Sequence, residues 1–197
     1  GAGGVTASAG YGSHHTRRAS ASVSGELRDA TFHLGFSRLA TDGISAIDPS
    51  LEILASPDAD GYDNISFSAR ADYAINTDHR LEASVFRSLG TVQTDNPWGS
   101  PTDDDESDTA LSKWSVALKN HLLGGWDSRL MLAQGTDDLV SRSNGVQSSV
   151  FRTVSDQVSW QNTLAVGEQV VLLGAERLRQ GEQIHPLQAH RTGQTTR

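Results

Sequence analysis

Apolar and polar residues alternate with a period of two through one segment of the chain after another. The clearest segment runs from Ile65 to Ile75: its odd-numbered residues are apolar or aromatic, whereas residues 66, 68, 70 and 72 are Ser, Ser, Arg and Asp. This period places one residue set on each face of a β-strand. No stretch keeps the apolar spacing of an amphipathic helix over three turns. The pattern predicts an all-β protein.

About nine segments share this alternation. They are residues 5–11, 19–27, 31–37, 65–75, 81–91, 111–120, 126–134, 151–164 and 169–179. Most approach the roughly 9 to 11 residues that a strand needs to cross a bilayer obliquely, about twice the usual soluble length. The lengths favour an antiparallel transmembrane β-barrel, although a strand in a soluble sandwich would alternate in the same way.

The predicted connections form two series. Tight turns are expected near residues 28–29, 76–78, 123–125 and 167–168, and long polar loops at 40–62, 93–110 and 136–148. Outer-membrane barrels alternate short periplasmic turns with long extracellular loops. We therefore predict that the first strand runs outward, that Phe67 faces lipid on a convex surface, and that Arg70 faces the lumen. An isolated part of such a barrel leaves both sheet edges unpaired, so we do not expect it to be a stable monomer.

Composition is compatible with this prediction. The chain is 36% hydrophobic, with a mean hydropathy of -0.41, because a transmembrane strand buries only every second residue in lipid. No apolar run approaches the roughly 20 residues of a spanning helix. The net charge of -8 argues against a nucleic-acid partner. The chain has no cysteine, its only methionine is Met131, and no signal peptide is recognisable at Gly1.

Five aromatic residues fall near predicted strand ends, where girdles of Trp and Tyr lie at lipid headgroups. They are Tyr11, Tyr73, Trp114, Trp126 and Trp160.

The segment from Ala7 to Ser13, with the sequence ASAGYGS, resembles the start of the barrel in the vitamin B12 (cobalamin) receptors of the TonB-dependent transporters. The resemblance continues through residues 20–39, through Asp-Ala-Asp-Gly-Tyr at 58–62 and through Trp-Gln-Asn at 160–162. It implies that residues 1–180 form the N-terminal part of a barrel of about 22 strands. The plug, its TonB box and the later strands would lie outside this sequence.

The function implied by the resemblance is active uptake of a nutrient, with cobalamin as the leading substrate. The protein would lie in the bacterial outer membrane in contact with lipid, would be opened by TonB through the plug, and would not be an enzyme. Residues 181–197 break the alternation, and we interpret them as an extracellular loop or a tail foreign to the barrel.

Two predicted loops are rich in carboxylates, which together with loop carbonyls can supply the roughly six to eight oxygens that Ca²⁺ prefers. In the cobalamin receptors, aspartates of the corresponding loops bind calcium. Asp58 and Asp60 match the family's Asp-x-Asp-Gly element, Asp42 follows the third strand, and Asp95, Asp103 and Asp105 match by loop position. The alternative is a solvated acidic loop without a metal.

Other classes remain open at this stage. A siderophore receptor would share the fold, because loops diverge among receptors of one architecture. A self-contained small barrel would close within these residues, and an adhesin or soluble sandwich would have no lipid-facing band. Enzymatic barrels use histidine bases, for which the candidates are His14, His15, His33, His79 and His121, but none lies in a recognisable catalytic motif.

Overall fold

The computed structural model describes residues 3–45, 47, 58–96 and 99–186. They form one open antiparallel sheet of nine strands, each paired with its neighbours in sequence. The strands are β1 Gly4–Tyr11, β2 Arg17–Leu27, β3 Ala30–Thr41, β4 Tyr62–Ala74, β5 His79–Thr94, β6 Asp105–Leu122, β7 Trp126–Ser143, β8 Val146–Val166 and β9 Gln169–Pro186. Within the described residues, no helix is long and apolar enough to span a membrane.

The nine predicted strands and the all-β class are confirmed, but the later strands are longer than predicted. β1 has 8 residues and β8 has 21. β6 begins at Asp105, six residues before the predicted start at Leu111. β9 continues beyond Arg179 to Pro186, past the boundary placed at residue 180. The rest of the proposed tail, residues 187–197, lies outside the described residues.

The four predicted tight turns are confirmed. They lie at one end of the strands, and we call this border of the sheet the turn edge, as distinct from the unpaired sides of the outer strands β1 and β9. The opposite edge, the loop edge, carries the connections at 12–16, 42–61, 95–104 and 144–145. The second predicted loop is therefore shorter than expected, and residues 46, 48–57, 97 and 98 of these connections lie outside the described part.

The long loop predicted at residues 136–148 is wrong. β7 runs to Ser143, β8 begins at Val146, and Asn144 and Gly145 join them with φ values of 52° and 73°. A two-residue turn with positive φ at both positions matches the right-handed twist of the strands, and Asn-Gly favours it strongly. The polar composition of this segment reflects a strand with polar residues on both faces.

Strand pairing fixes which residues share a face. Phe67 pairs with Phe36, and Arg70 pairs with His33. Because no register shift interrupts β4, Phe67 and Arg70 lie on opposite faces, as predicted. We call the face with Phe67 the apolar face and the face with Arg70 the polar face.

The turn edge is staggered. We call residues that pair with one another across successive strands a row. Leu27 and Ala30 form the last pair of the β2–β3 hairpin. Their row reaches β8 at Trp160, six residues before that strand ends at Val166. The turns thus shift by about one residue per strand. With about 3.4 Å per residue and about 4.8 Å between strands, this corresponds to strands tilted by roughly 35° from the normal to the turn edge.

Candidate functional site

The apolar face leaves large side chains exposed. Leu34 is 41% exposed, Phe67 43% and Trp160 47%, and among the described residues Ala117 is the only buried hydrophobic one. Large apolar side chains exposed together on one face of a sheet are typical of a surface that binds a partner or a membrane.

Each strand has a run of apolar residues on the apolar face, and together these runs form what we call the apolar band. The position of the run along the strand changes from one strand to the next. On β3 the run ends at Phe36 and is followed by Arg38, whereas on β9 it ends at Ala175 and is followed by Arg177. The row of Arg177 reaches β3 at Phe32, six residues before Arg38. The loop-edge boundary of the band therefore shifts toward the turn edge by about one residue per strand, and the turn edge shifts in the same direction by the same amount.

Beyond the band, strands β5 to β9 continue on the loop-edge side. β6 extends nine residues from Trp114 to Asp105, a distance of about 30 Å at the usual rise per residue. β7 pairs with β6, and β8 pairs with β7, up to the Asn144-Gly145 turn. Trp114 consequently lies in the middle of β6 and not near a strand end, although it does lie at the boundary of the apolar band.

Three tryptophans of the apolar face donate hydrogen bonds to polar side chains on neighbouring strands. The Nε1 atoms of Trp126 and Trp160 lie 2.9 Å from Asn162 Oδ1 and 2.9 Å from Ser128 Oγ. Ser128 and Asn162 are buried, at 9% and 5% exposure. Tryptophan combines an apolar ring with a polar N–H, which suits the boundary between an apolar and a wet layer.

The polar face carries a charged cluster around Glu82, which we call the Glu82 cluster. Glu82 Oε1 lies 2.7 Å from Lys119 Nζ and 3.3 Å from Arg70 Nη2, and Glu82 Oε2 lies 3.5 Å from Arg129 Nη2. Arg70 Nε also lies 3.2 Å from Asp72 Oδ2. The side chain of Glu82 is only 11% exposed. Four adjacent strands thus share one ion-pair network on this face.

The sequence did not lead us to the Glu82 cluster. A usable signal was present, because the four charged residues that meet here, Arg70, Glu82, Lys119 and Arg129, all occupy polar-face positions of the alternation. Their mutual contact depends on the register between strands, which the alternation alone does not fix.

The predicted calcium ligands are distributed along the loop edge. Asp42 Oδ2 lies 2.5 Å from His15 Nδ1, and Asp95 Oδ2 accepts a hydrogen bond of 3.2 Å from Ser45 Oγ. The backbone N–H of Asp60 donates to Ile44 O over 3.3 Å. Asp58 lies two residues earlier, at a bend.

The second acidic segment is tied to the β7–β8 turn. Asp103 accepts hydrogen bonds from Asn144 Nδ2, at 3.0 Å, and from the backbone N–H of Ser100, at 2.7 Å, and both lower the pKa of Asp103. Asp105 is the first residue of β6 and pairs with Thr94. Asp103 is therefore ionised at neutral pH and already accepts two protein hydrogen bonds.

A neighbouring carboxylate beyond the apolar band is engaged by a cation. Asp108 forms an ion pair with Arg142 and accepts a hydrogen bond of 2.6 Å from Thr91 Oγ1, and these contacts lower the pKa of Asp108. Across the described ranges, no three His, Asp or Glu side chains come together closely enough to hold a metal ion. Calcium binding stays a prediction, and Asp48 of the first acidic loop lies outside those ranges.

Comparison of the chain with known protein families gave no match, and no curated protein matches it either.

Proposed function

We propose that the chain is part of a transmembrane β-barrel of the bacterial outer membrane. The observation that carries this proposal is the shared shift of the turn edge and the apolar band, each by about one residue per strand. In a barrel, tilted strands require both features to follow the membrane plane, and outer-membrane strands tilt by about 35 to 45°. The shift of the turns comes from backbone pairing and that of the band from side-chain polarity, so the two support the proposal independently.

The polar face supports the same proposal. The Glu82 cluster lies on the face opposite the apolar band, and charged groups at membrane depth must face a wet or protein-filled interior. A soluble sandwich would instead pack its apolar face into a core. The buried polar residues are Glu82 and Ser159 on the polar face and Ser128 and Asn162 on the apolar face, whereas Ala117 is the one buried hydrophobic residue of the described part.

A self-contained small barrel is the weaker alternative. It requires the first and last strands to pair, whereas in the described residues β1 pairs with β2 and β9 pairs with β8. An open sheet with two unpaired edges fits a segment of a larger barrel, in which further strands satisfy those backbone groups.

Within this class, we propose a TonB-dependent receptor that takes up cobalamin. The support is the sequence resemblance around residues 7–13, 58–62 and 160–162, together with the loop edge, where two acidic segments project from one rim. TonB would act through a plug domain in the barrel. A siderophore receptor has the same architecture and would differ in what its loops bind.

Calcium removal tests the receptor proposal. In the natural protein that contains these strands, chelation should weaken cobalamin binding by about 10-fold, because calcium would order the acidic loops before the substrate binds. Asp58→Ala combined with Asp60→Ala should weaken binding to the same extent with calcium and by little more with chelator. Cobalamin affinity, measured by titration in both conditions, gives the answer.

The matched control is Asp29→Ala combined with Asp78→Ala, which removes two carboxylates from the turn edge. It should retain the full effect of calcium. Cobalamin binding that is unaffected by chelation would reject the calcium site, and the absence of cobalamin binding in every condition would reject the proposed substrate.

A further inference from the structure

Arginine is the residue that ends the apolar run on the loop-edge side of several strands. Arg17 follows Ala19 on β2, Arg38 follows Phe36 on β3 and Arg177 follows Ala175 on β9. On β5, Arg87 interrupts the apolar run between Val85 and Leu89. Arg179 occupies the next apolar-face position on β9. We call these five residues the arginine row. It follows the same oblique line as the boundary of the apolar band.

The arginine row is largely outside the ion-pair network of the sheet. All five residues are exposed, and Arg38 pairs with Asp63 through a contact of 2.6 Å. No ion pair within the described part of the chain engages the other four. The cations of the Glu82 cluster, by contrast, share one carboxylate. Internal salt bridges therefore do not account for the arginine row.

The distribution of cations across the band is asymmetric. Between the band and the turn edge, the described apolar face carries no Lys or Arg, and the polar residues there include His79 and Gln169. Two carboxylates of the same face, Asp63 and Asp156, also lie at the loop-edge boundary, where Asp63 pairs with Arg38 and Asp156 accepts a hydrogen bond from Gln134. Arg17, Arg87 and Arg177 form no ion pair within the described part of the chain, so their guanidinium groups can bind an anionic group in the layer on the loop-edge side.

We propose that the arginine row binds phosphate groups of lipid headgroups in the leaflet on the loop-edge side. This inference rests on the proposed membrane barrel. The arginine stem can lie along the apolar band while the guanidinium reaches the headgroup layer. Guanidinium groups bind phosphate through two parallel N–H···O hydrogen bonds, which favours Arg over Lys at such positions.

Vesicle partitioning tests the proposal. The natural protein that contains these strands, diluted from urea into vesicles of phosphatidylcholine with or without phosphatidic acid, should prefer the vesicles with phosphatidic acid, although these 197 residues carry a net charge of -8. Each arginine near an anionic surface strengthens binding by about 5-fold, so Arg17→Gln combined with Arg87→Gln should reduce the preference by about 25-fold. The bound fraction is measured by flotation.

The control removes the same charge from the polar face through Arg18→Gln combined with Lys113→Gln, and it should change the preference by less than about 3-fold. Inorganic phosphate should reduce binding no more than chloride of equal ionic strength, and stronger competition would overturn the assignment to lipid. Equal binding to both vesicle types, or equal losses in the two double variants, would overturn the inference alone. Failure to bind either vesicle would overturn the membrane proposal as well.

Discussion

Val23→Arg is expected to destabilise the membrane-inserted protein by about 2 to 4 kcal/mol, the usual cost of an arginine on the lipid face near the bilayer midplane. Val23 lies in the middle of the apolar run of β2, and it pairs with Val5 and Leu34. The new guanidinium would be surrounded by apolar side chains and lipid. Urea titration of the natural protein that contains these strands, folded in phosphatidylcholine vesicles, measures the free energy of unfolding.

The neighbouring substitution Ser22→Arg provides the control. Ser22 lies at the same depth on the polar face, where it pairs with Thr6 and Gly35 and has no cation opposite it. We expect a change below about 1 kcal/mol, since the arginine would enter a wet interior. A cost that is similar for both variants would contradict the assignment of the two faces.

Glu82→Gln should reduce the free energy of unfolding by about 2 kcal/mol. The substitution keeps the size of the side chain but leaves Arg70, Lys119 and Arg129 close together without their shared carboxylate. Breaking a buried ion pair costs about 3 to 5 kcal/mol. The three cations here are 33% to 60% exposed, so solvent lowers that cost.

Glu176→Gln is the matched control for this prediction. Glu176 lies on the polar face in the same row as Glu82, and Ala117, Met131 and Ser159 lie between them in that row. Unlike Glu82, Glu176 is exposed. Its loss should cost less than about 0.5 kcal/mol. Equal effects of the two substitutions would show that the Glu82 cluster does not stabilise the sheet.

The sequence was sufficient to predict the strand order and the faces of the sheet. Alternation around Phe67 and Arg70 fixes the two faces because side chains change sides at every residue of a strand. The four tight turns were found because their Gly, Asn and Asp residues interrupt clear apolar runs. Agreement of period and turn chemistry explains why the antiparallel order follows directly from the sequence.

Strand ends on the loop edge were predicted less well. In β6 and β7 the alternation of apolar residues fades beyond Trp114 and Gln134, although the strands continue. Both faces of this extension are solvated, so polarity no longer marks the strand, and backbone pairing and the Asn144-Gly145 turn maintain it. Polar composition was therefore interpreted as a loop where the structure has a hairpin.

The candidate site depends on information that single-strand patterns lack. Ion pairing in the Glu82 cluster depends on register across four strands, and the arginine row becomes visible only when the rows of all nine strands are aligned. The predicted calcium ligands illustrate the opposite case. Asp42 and Asp103 are easily identified by residue type, but their structural partners are His15 and Asn144.

Cysteine accessibility tests the central proposal most directly, because the chain has no natural cysteine. Ser68 and Ala69 are neighbours near the middle of β4, they lie on opposite faces, and both are half-buried in the sheet. In vesicles, a membrane-impermeant maleimide should label the Ser68→Cys variant and leave the Ala69→Cys variant unlabelled, since only the latter faces lipid. Equal labelling of the two variants, or preferential labelling of the Ala69→Cys variant, would contradict a membrane barrel.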